Sequence, residues 1–132
     1  MKTIIAFLFL VTSGLTVFGQ SRDTIKGTSE TSNQLNQKIK KGKVYLIDVR
    51  TPEEYKSGHL KYSTNIDFKS EDFKAQIEKL DKKKPVYLYC RTGNRSGKAA
   101  DLLKTLGFVK YYNIGGFEDL KKAGLETVDP QN

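Results

Sequence analysis

Apolar residues recur along this chain in two alternating spacings. Val44-Tyr45-Leu46-Ile47 is a nearly continuous apolar run, the pattern of a strand covered on both faces. Pro85-Val86-Tyr87-Leu88-Tyr89 is a second such run, and Val109 to Tyr112 a third. The stretches between them place apolar residues on one helical face. Leu35 and Ile39 do so between Ser32 and Lys41, Phe73, Ile77 and Leu80 further on, and Ala99, Ala100, Leu102, Leu103 and Leu106 over a longer run.

Local signals bound these elements. Gly42 closes the first helix. Thr51-Pro52-Glu53-Glu54 is a helix start: Thr51 caps, Pro52 takes the first helical position and Glu54 completes a capping box, before Gly58 stops the helix. His59-Leu60 opens a connection to a small strand around Asn65-Ile66. Ser70 is the expected cap of the Phe73 helix, and Lys82-Lys83-Lys84-Pro85 is a turn. The long helix is expected to start near Ser96 and to end at Gly107. Gly115-Gly116 breaks the third strand, and Phe117 to Ala123 makes a final short helix. Alternating strands and helices predict an α/β fold: a central, mostly parallel sheet of four to five strands in a three-layer α/β/α sandwich. Ligands of such sheets bind beyond the carboxyl ends of the strands. Asp48, Cys90 and Asn113 fall there.

The length of 132 residues suits one domain. Met1-Lys2, the apolar run Ile4 to Val11 and the Val17-Phe18-Gly19 step read as a secretory signal over 1–19, cleaved before Gln20. No cysteine follows the apolar run, so a lipid anchor is not expected. Residues 20–29 are polar and aperiodic, and predict a flexible lead-in with one weak strand near Thr24-Ile25-Lys26. The domain proper is placed at 30–127 and a tail at 128–132. The expectation is an exported protein, periplasmic or secreted, with no stable membrane insertion after cleavage. The net charge of +8 is carried by lysines spread along the chain, without interleaved aromatic motifs. That pattern predicts a solvated surface and mild attraction of small anions, and no nucleic-acid partner.

Cys90 is the only cysteine. An exported lone thiol cannot pair within its own chain and is exposed to oxidation, so it is more often absent or used. Here it follows a strand and precedes the polar loop Arg91-Thr92-Gly93-Asn94-Arg95-Ser96, which holds two of the four arginines. Loop amides, a helix N-terminus and nearby cations lower a thiol's pKa and hold anions. Cys90 is therefore the candidate nucleophile, expected at the surface, with Arg91, Thr92, Gly93, Asn94, Arg95 and Ser96 as candidate substrate-binding residues. The alternative is a buried, inert cysteine acting as a small hydrophobe, since the preceding strand could bury it. Arg95 is equally well read as an ion pair shaping the loop. Asp48 and Arg50 read as structural, in an ion pair with each other or with Glu53 or Glu54, with Asp48 shaping the active loop as the alternative. His59, the only histidine, reads as a satisfied structural residue. One histidine and one cysteine make no transition-metal site, so no cofactor is expected.

Five blocks now line up: Leu46-Ile47-Asp48-Val49-Arg50, Pro52-Glu53-Glu54-Tyr55, Gly58-His59-Leu60, the Cys90 loop, and Asn113-Ile114-Gly115-Gly116-Phe117. In this order they resemble the rhodanese domain, and the export signal makes the chain similar to small single-domain periplasmic rhodaneses. The resemblance implies a sulfurtransferase. Cys90 takes the outer sulfur of a small anionic donor such as thiosulfate, holds it as a persulfide, and passes it to cyanide or a thiol. A protein persulfide donor or acceptor is also implied as a partner. One alternative is a persulfide carrier with poor thiosulfate turnover. Another is a rhodanese-like phosphatase or arsenate reductase, whose loop places Arg six positions after Cys; here Arg95 comes five after Cys90. Two departures stand out. Lys61-Tyr62-Ser63-Thr64 replaces the family's Pro-Gly-Ala-like turn, and Phe117 stands where the family commonly has Trp.

Overall fold

Strand-forming runs and capped helices alternate in space as they do in the sequence. The computed structural model describes residues 24–130; the expected signal segment 1–19 lies outside them. In chain order the elements are α1 (Ser32–Lys40), β1 (Tyr45–Asp48), α2 (Pro52–Lys56), β2 (His59–Leu60), β3 (Thr64–Asn65) and α3 (Phe73–Glu78). There follow β4 (Val86–Cys90), α4 (Asn94–Thr105), β5 (Tyr111–Gly116), α5 (Phe117–Lys122) and β6 (Thr127–Val128). Four strands form one parallel sheet in the order β3-β1-β4-β5. The chain leaves β1 for β3 on one side and then crosses to β4 on the other. The ends of β1 and β4 therefore flank the topological switch point, the place where such sheets open a crevice.

Each face of the sheet carries its own core. Ile47, Val49, Val86, Leu88 and Cys90 pack with Phe73 and Ile77 of α3 and Ala99, Ala100 and Leu103 of α4. Leu46, Tyr87, Tyr89 and Ile114 pack on the other face with Leu35 and Ile39 of α1 and Leu120 of α5. All five residues of β4 are buried, which is why that run carries no polar alternation. The helix starts are local chemistry. Thr51 accepts from the Glu54 N–H while the Glu54 side chain accepts from the Thr51 N–H, and Thr31 with Gln34 does the same for α1.

Several boundaries differ from expectation. β5 begins at Tyr111, and Val109 is 65% exposed, because the connection turns on Gly107 and the Val109 N–H reaches the Lys82 carbonyl. Gly115 and Gly116 lie inside β5, which accommodates them through a register shift opposite Leu88 and Tyr89. α4 starts at Asn94, two residues before Ser96, since Gly93 at φ 95 supplies the turn. Asp72 precedes α3; Ser70 instead accepts from the Asp72 N–H one turn earlier. β2 and β6 form an unforeseen antiparallel pair. In the described part of 20–29, Ile25 is 2% exposed within a core cluster, and Thr24 makes a single bridge to Thr31. That part of the stretch is anchored, against the expected flexible lead-in. The Lys61–Thr64 turn is closed by Tyr62 at φ 66 and by Ser63, whose hydroxyl donates to the Leu60 carbonyl at 2.7 Å.

The spread lysines are gathered by the topology. Tyr45, Val86 and Tyr111 are in register, so the segments that lead into them share one end of the sheet. Residues 40–44, 79–85 and 104–110 hold nine lysines and one carboxylate, Asp81. Cys90 lies at the opposite end, so most of this charge sits away from the thiol.

At the carboxyl end of β1, Asp48 is 0% exposed and Arg50 5%. The Arg50 Nη2 donates to Asp48 Oδ2 at 2.7 Å and to the Gly58 carbonyl at 2.7 Å, and Nε reaches both carboxylate oxygens at 3.0 Å. The guanidinium lies 4.6 Å from the Phe117 ring centroid. The pair thus joins β1, the end of α2 and the start of α5. Arg50→Leu would leave the carboxylate buried without its cation, at a cost of about 3–5 kcal/mol. Urea unfolding should show that loss as a lower midpoint at unchanged slope. A loss under about 1 kcal/mol would mean that this end of the sheet does not need the pair.

Candidate active site

β4 delivers Cys90 to the switch point, and the chain then turns at once into α4. Gly93 makes the turn. A Cβ there would meet Gly115 Cα at 3.3 Å, and one on Gly116 would meet the Arg91 carbonyl oxygen at 2.4 Å. Gly93 in the loop and Gly116 in β5 therefore let the loop lie against the strand. The first turn of α4 has no side-chain cap. The Cys90 sulfur occupies that place: the Gly93 N–H donates to Sγ at 3.0 Å, and the Ser96 hydroxyl lies 3.4 Å from it. Burial pushes the thiol's pKa up. The Ser96 hydroxyl and the amides of Ser96, Thr92 and Gly93 pull it down, and the net position is below the ordinary value.

The polar loop led to the expectation of a surface thiol, and the structure corrects it. Cys90 is 0% exposed and belongs to the core under α4. The loop folds over the sulfur, with the amides of Thr92, Gly93 and Ser96 turned toward it. In this conformation the loop closes Cys90 off from solvent.

The seven candidate residues divide. Cys90, Thr92, Gly93 and Ser96 form the cage. Arg95 does not face it: its guanidinium makes a two-pronged pair with Glu54 at 2.8 and 2.9 Å, tying α4 to α2. Arg91 and Asn94 are exposed. Arg91 makes no salt bridge among the described residues, and it lines a cleft of about 330 Å³ with Arg50, Glu54, Ser57, Phe117 and Glu118. His59 stacks on Tyr55 at 3.7 Å, and its Nδ1 lies 2.9 Å from the Tyr55 carbonyl, so it is structural as read. Two contributors went unrecognised. Glu54 reads from sequence as a cap and as a candidate partner of Arg50, not of Arg95. Asn113, placed at a strand end, receives the Ser96 hydroxyl at 2.7 Å and donates to the Gly93 carbonyl at 3.0 Å. Its amide gives and takes hydrogen bonds at once, which was the available signal.

A buried, amide-caged thiol at the switch point of a parallel sheet is the observation that decides the comparison. The Rhodanese-like domain profile matches residues 31–123. The chain belongs to the rhodanese-like family. It is 35% identical over 76 residues to the thiosulfate sulfurtransferase PspE of Escherichia coli, covering 58% of this chain and 73% of that protein. It is 42% identical over 77 residues to the uncharacterized protein YqhL of Bacillus subtilis, covering 58% of this chain and 60% of that protein, so this match spans less than two thirds of that relative. Among solved structures, a rhodanese with anions from E. coli superposes with TM-score 0.54 at 32% identity, covering 64% of this chain and 96% of that one. The Alr3790 protein of Anabaena superposes with TM-score 0.66 at 22% identity over 78% of this chain and 94% of that one, a likeness of fold.

The Arg95–Glu54 clamp has its own pH signature. Hydrogen bonds from Arg95 hold the Glu54 carboxyl down at about 2, against burial and helped by the Thr51 N–H. A depressed folded-state value gives stability that is complete above the unfolded value of about 4.3 and lost as pH falls through the folded one. Glu54→Gln should cost about 1–2 kcal/mol at neutral pH, from the cap and the clamp together. Thermal unfolding of both proteins should show that gap closing as pH falls toward about 2. A gap independent of pH would mean that the ionised pair contributes nothing.

Proposed function

We propose that this rhodanese-like protein is a sulfurtransferase that carries sulfane sulfur on Cys90. The observation that carries the reading is the cage: an amide at 3.0 Å and a hydroxyl at 3.4 Å converge on one sulfur at a helix N-terminus. Such donors favour the thiolate, which is the nucleophile. In the first step Sγ attacks the outer sulfur of a thiosulfate-like anion. The S–S bond of the donor breaks with its electron pair leaving on sulfite, and Cys90 becomes a persulfide. In the second step a thiolate or cyanide takes the terminal sulfur, and the electron pair of that S–S bond returns to Sγ. The amides that stabilise the thiolate also stabilise the persulfide anion.

The relatives support the reaction class. PspE of Escherichia coli is a thiosulfate sulfurtransferase by name, and the similar E. coli rhodanese structure is one with anions. Arg91 beside the cleft supplies the cation for the donor's oxyanion. Arg95 is committed to Glu54, so it shapes the loop. That commitment, and a loop one residue shorter than the oxyanion-processing relatives use, weigh against phosphatase or arsenate chemistry. The burial of Cys90 favours one second reading, a persulfide carrier that receives sulfur from a partner protein able to open the loop. The export reading rests on residues 1–19 of the sequence.

Intact mass spectrometry after thiosulfate treatment tests the nucleophile. The parent should gain one sulfur atom and Cys90→Ser none; equal gain in both refutes the assignment. Steady-state turnover with thiosulfate and cyanide separates the enzyme, which cycles, from the carrier, which loads once.

A further inference from the structure

The Ser96 hydroxyl stands between two acceptors and has one proton. Asn113 Oδ1 lies 2.7 Å from its oxygen and Cys90 Sγ 3.4 Å. The orientation of the Asn113 amide is fixed from both sides. Its Nδ2 must donate to the Gly93 carbonyl at 3.0 Å, and its Oδ1 must accept from the Gly115 N–H at 3.1 Å. The oxygen that faces Ser96 can therefore only accept. The shorter contact takes the hydroxyl proton, leaving the lone pairs of Ser96 directed toward the sulfur.

We infer that Asn113 is a positioning residue that holds the Ser96 proton away from Cys90, so that ionisation of the thiol is coupled to rotation of one hydroxyl. With the thiol protonated, S–H donates to Ser96 Oγ, and Ser96 O–H donates to Asn113 Oδ1. When the thiol loses its proton to solvent, the hydroxyl turns and donates to the sulfur. Asn113 Oδ1 then keeps the Gly115 N–H alone. No further proton moves. The same turn is available to a persulfide anion, so Asn113 opposes the ionised resting form while Ser96 supports it. The two neighbours act on the nucleophile with opposite sign.

The charged groups near Cys90 do not supply this effect. Arg95 of α4 is paired with Glu54 of α2, and Asp48 with Arg50 at the end of β1. Arg91 is the exposed next residue in the chain. None of these hydrogen-bonds Asn113 or the Ser96 hydroxyl.

This inference rests on Cys90 as the reactive thiol, but its test does not need sulfur transfer. The pH dependence of iodoacetamide alkylation is followed in the full chain, in Asn113→Ala, in Ser96→Ala and in the double variant. The plateau at high pH reports loop opening, and the midpoint reports ionisation. Asn113→Ala should lower the midpoint and Ser96→Ala should raise it. At a pH below both midpoints, the rate relative to its own plateau should rise about three- to tenfold in the first and fall by a similar factor in the second. In the Ser96→Ala background the change at Asn113 should leave the midpoint in place. Asn113→Leu, close in volume and unable to accept, is run beside Asn113→Ala in case the smaller side chain loosens the fold. A residue that merely held the loop would loosen the amide cage when removed and so raise the midpoint. A midpoint that rises in both Asn113 variants, or that moves equally with and without the Ser96 hydroxyl, overturns the proposal.

Discussion

The sulfur of Cys90 does the work of a helix cap. The first amides of α4 need an acceptor, and neither Gly93 nor any side chain in the loop provides one. Sγ accepts from the Gly93 N–H at the cap position, and the Ser96 amide of the first turn also faces it. The Ser96 hydroxyl and the amides of Ser96, Thr92 and Gly93 together favour the ionised thiol against its burial. A neutral thiol is a weak acceptor, whereas a thiolate satisfies several donors at once, so the cap favours the charged form. The same contact explains why the loop closes over the sulfur when its polar side chains point to water.

The rest of the architecture keeps that cap in register. The crossover between β1 and β4 creates the crevice, and the buried Asp48–Arg50 pair fixes the neighbouring strand end. Glu54 begins one helix through its capping box and holds the start of another through Arg95. On the far side, the shifted register of β5 places Asn113 against the loop while Gly116 clears space for it. Three separate elements thus press on a loop of a few residues. The excess lysines lie at the other end of the sheet, away from the thiol and from Arg91.

Much of this was legible in the sequence because it is local. The capping box of α2, the buried pattern of β4 and the five ordered blocks depend on residues near one another in the chain. The location of Cys90 followed from a strand that ends where a polar loop begins. What was missed depends on long-range contacts. The burial of Cys90 comes from loop closure against β5, which no spacing reveals. β6 is two residues long and exists only because β2 needs a partner. Ile25 is a single apolar residue in a polar stretch, and only the surrounding core gives it a role. Arg95 looked equally suited to substrate or to structure until Glu54, 41 positions away, was found opposite it.

The Gly93 amide proton of a ¹⁵N-labelled sample, followed against pH beside Cys90→Ser, tests the cap most directly. The account predicts that this proton moves downfield as pH rises, with one midpoint below the value of about 8.5 for free cysteine, and that the movement vanishes in the variant. An amide that ignores pH, or a midpoint at or above that of free cysteine, would contradict it.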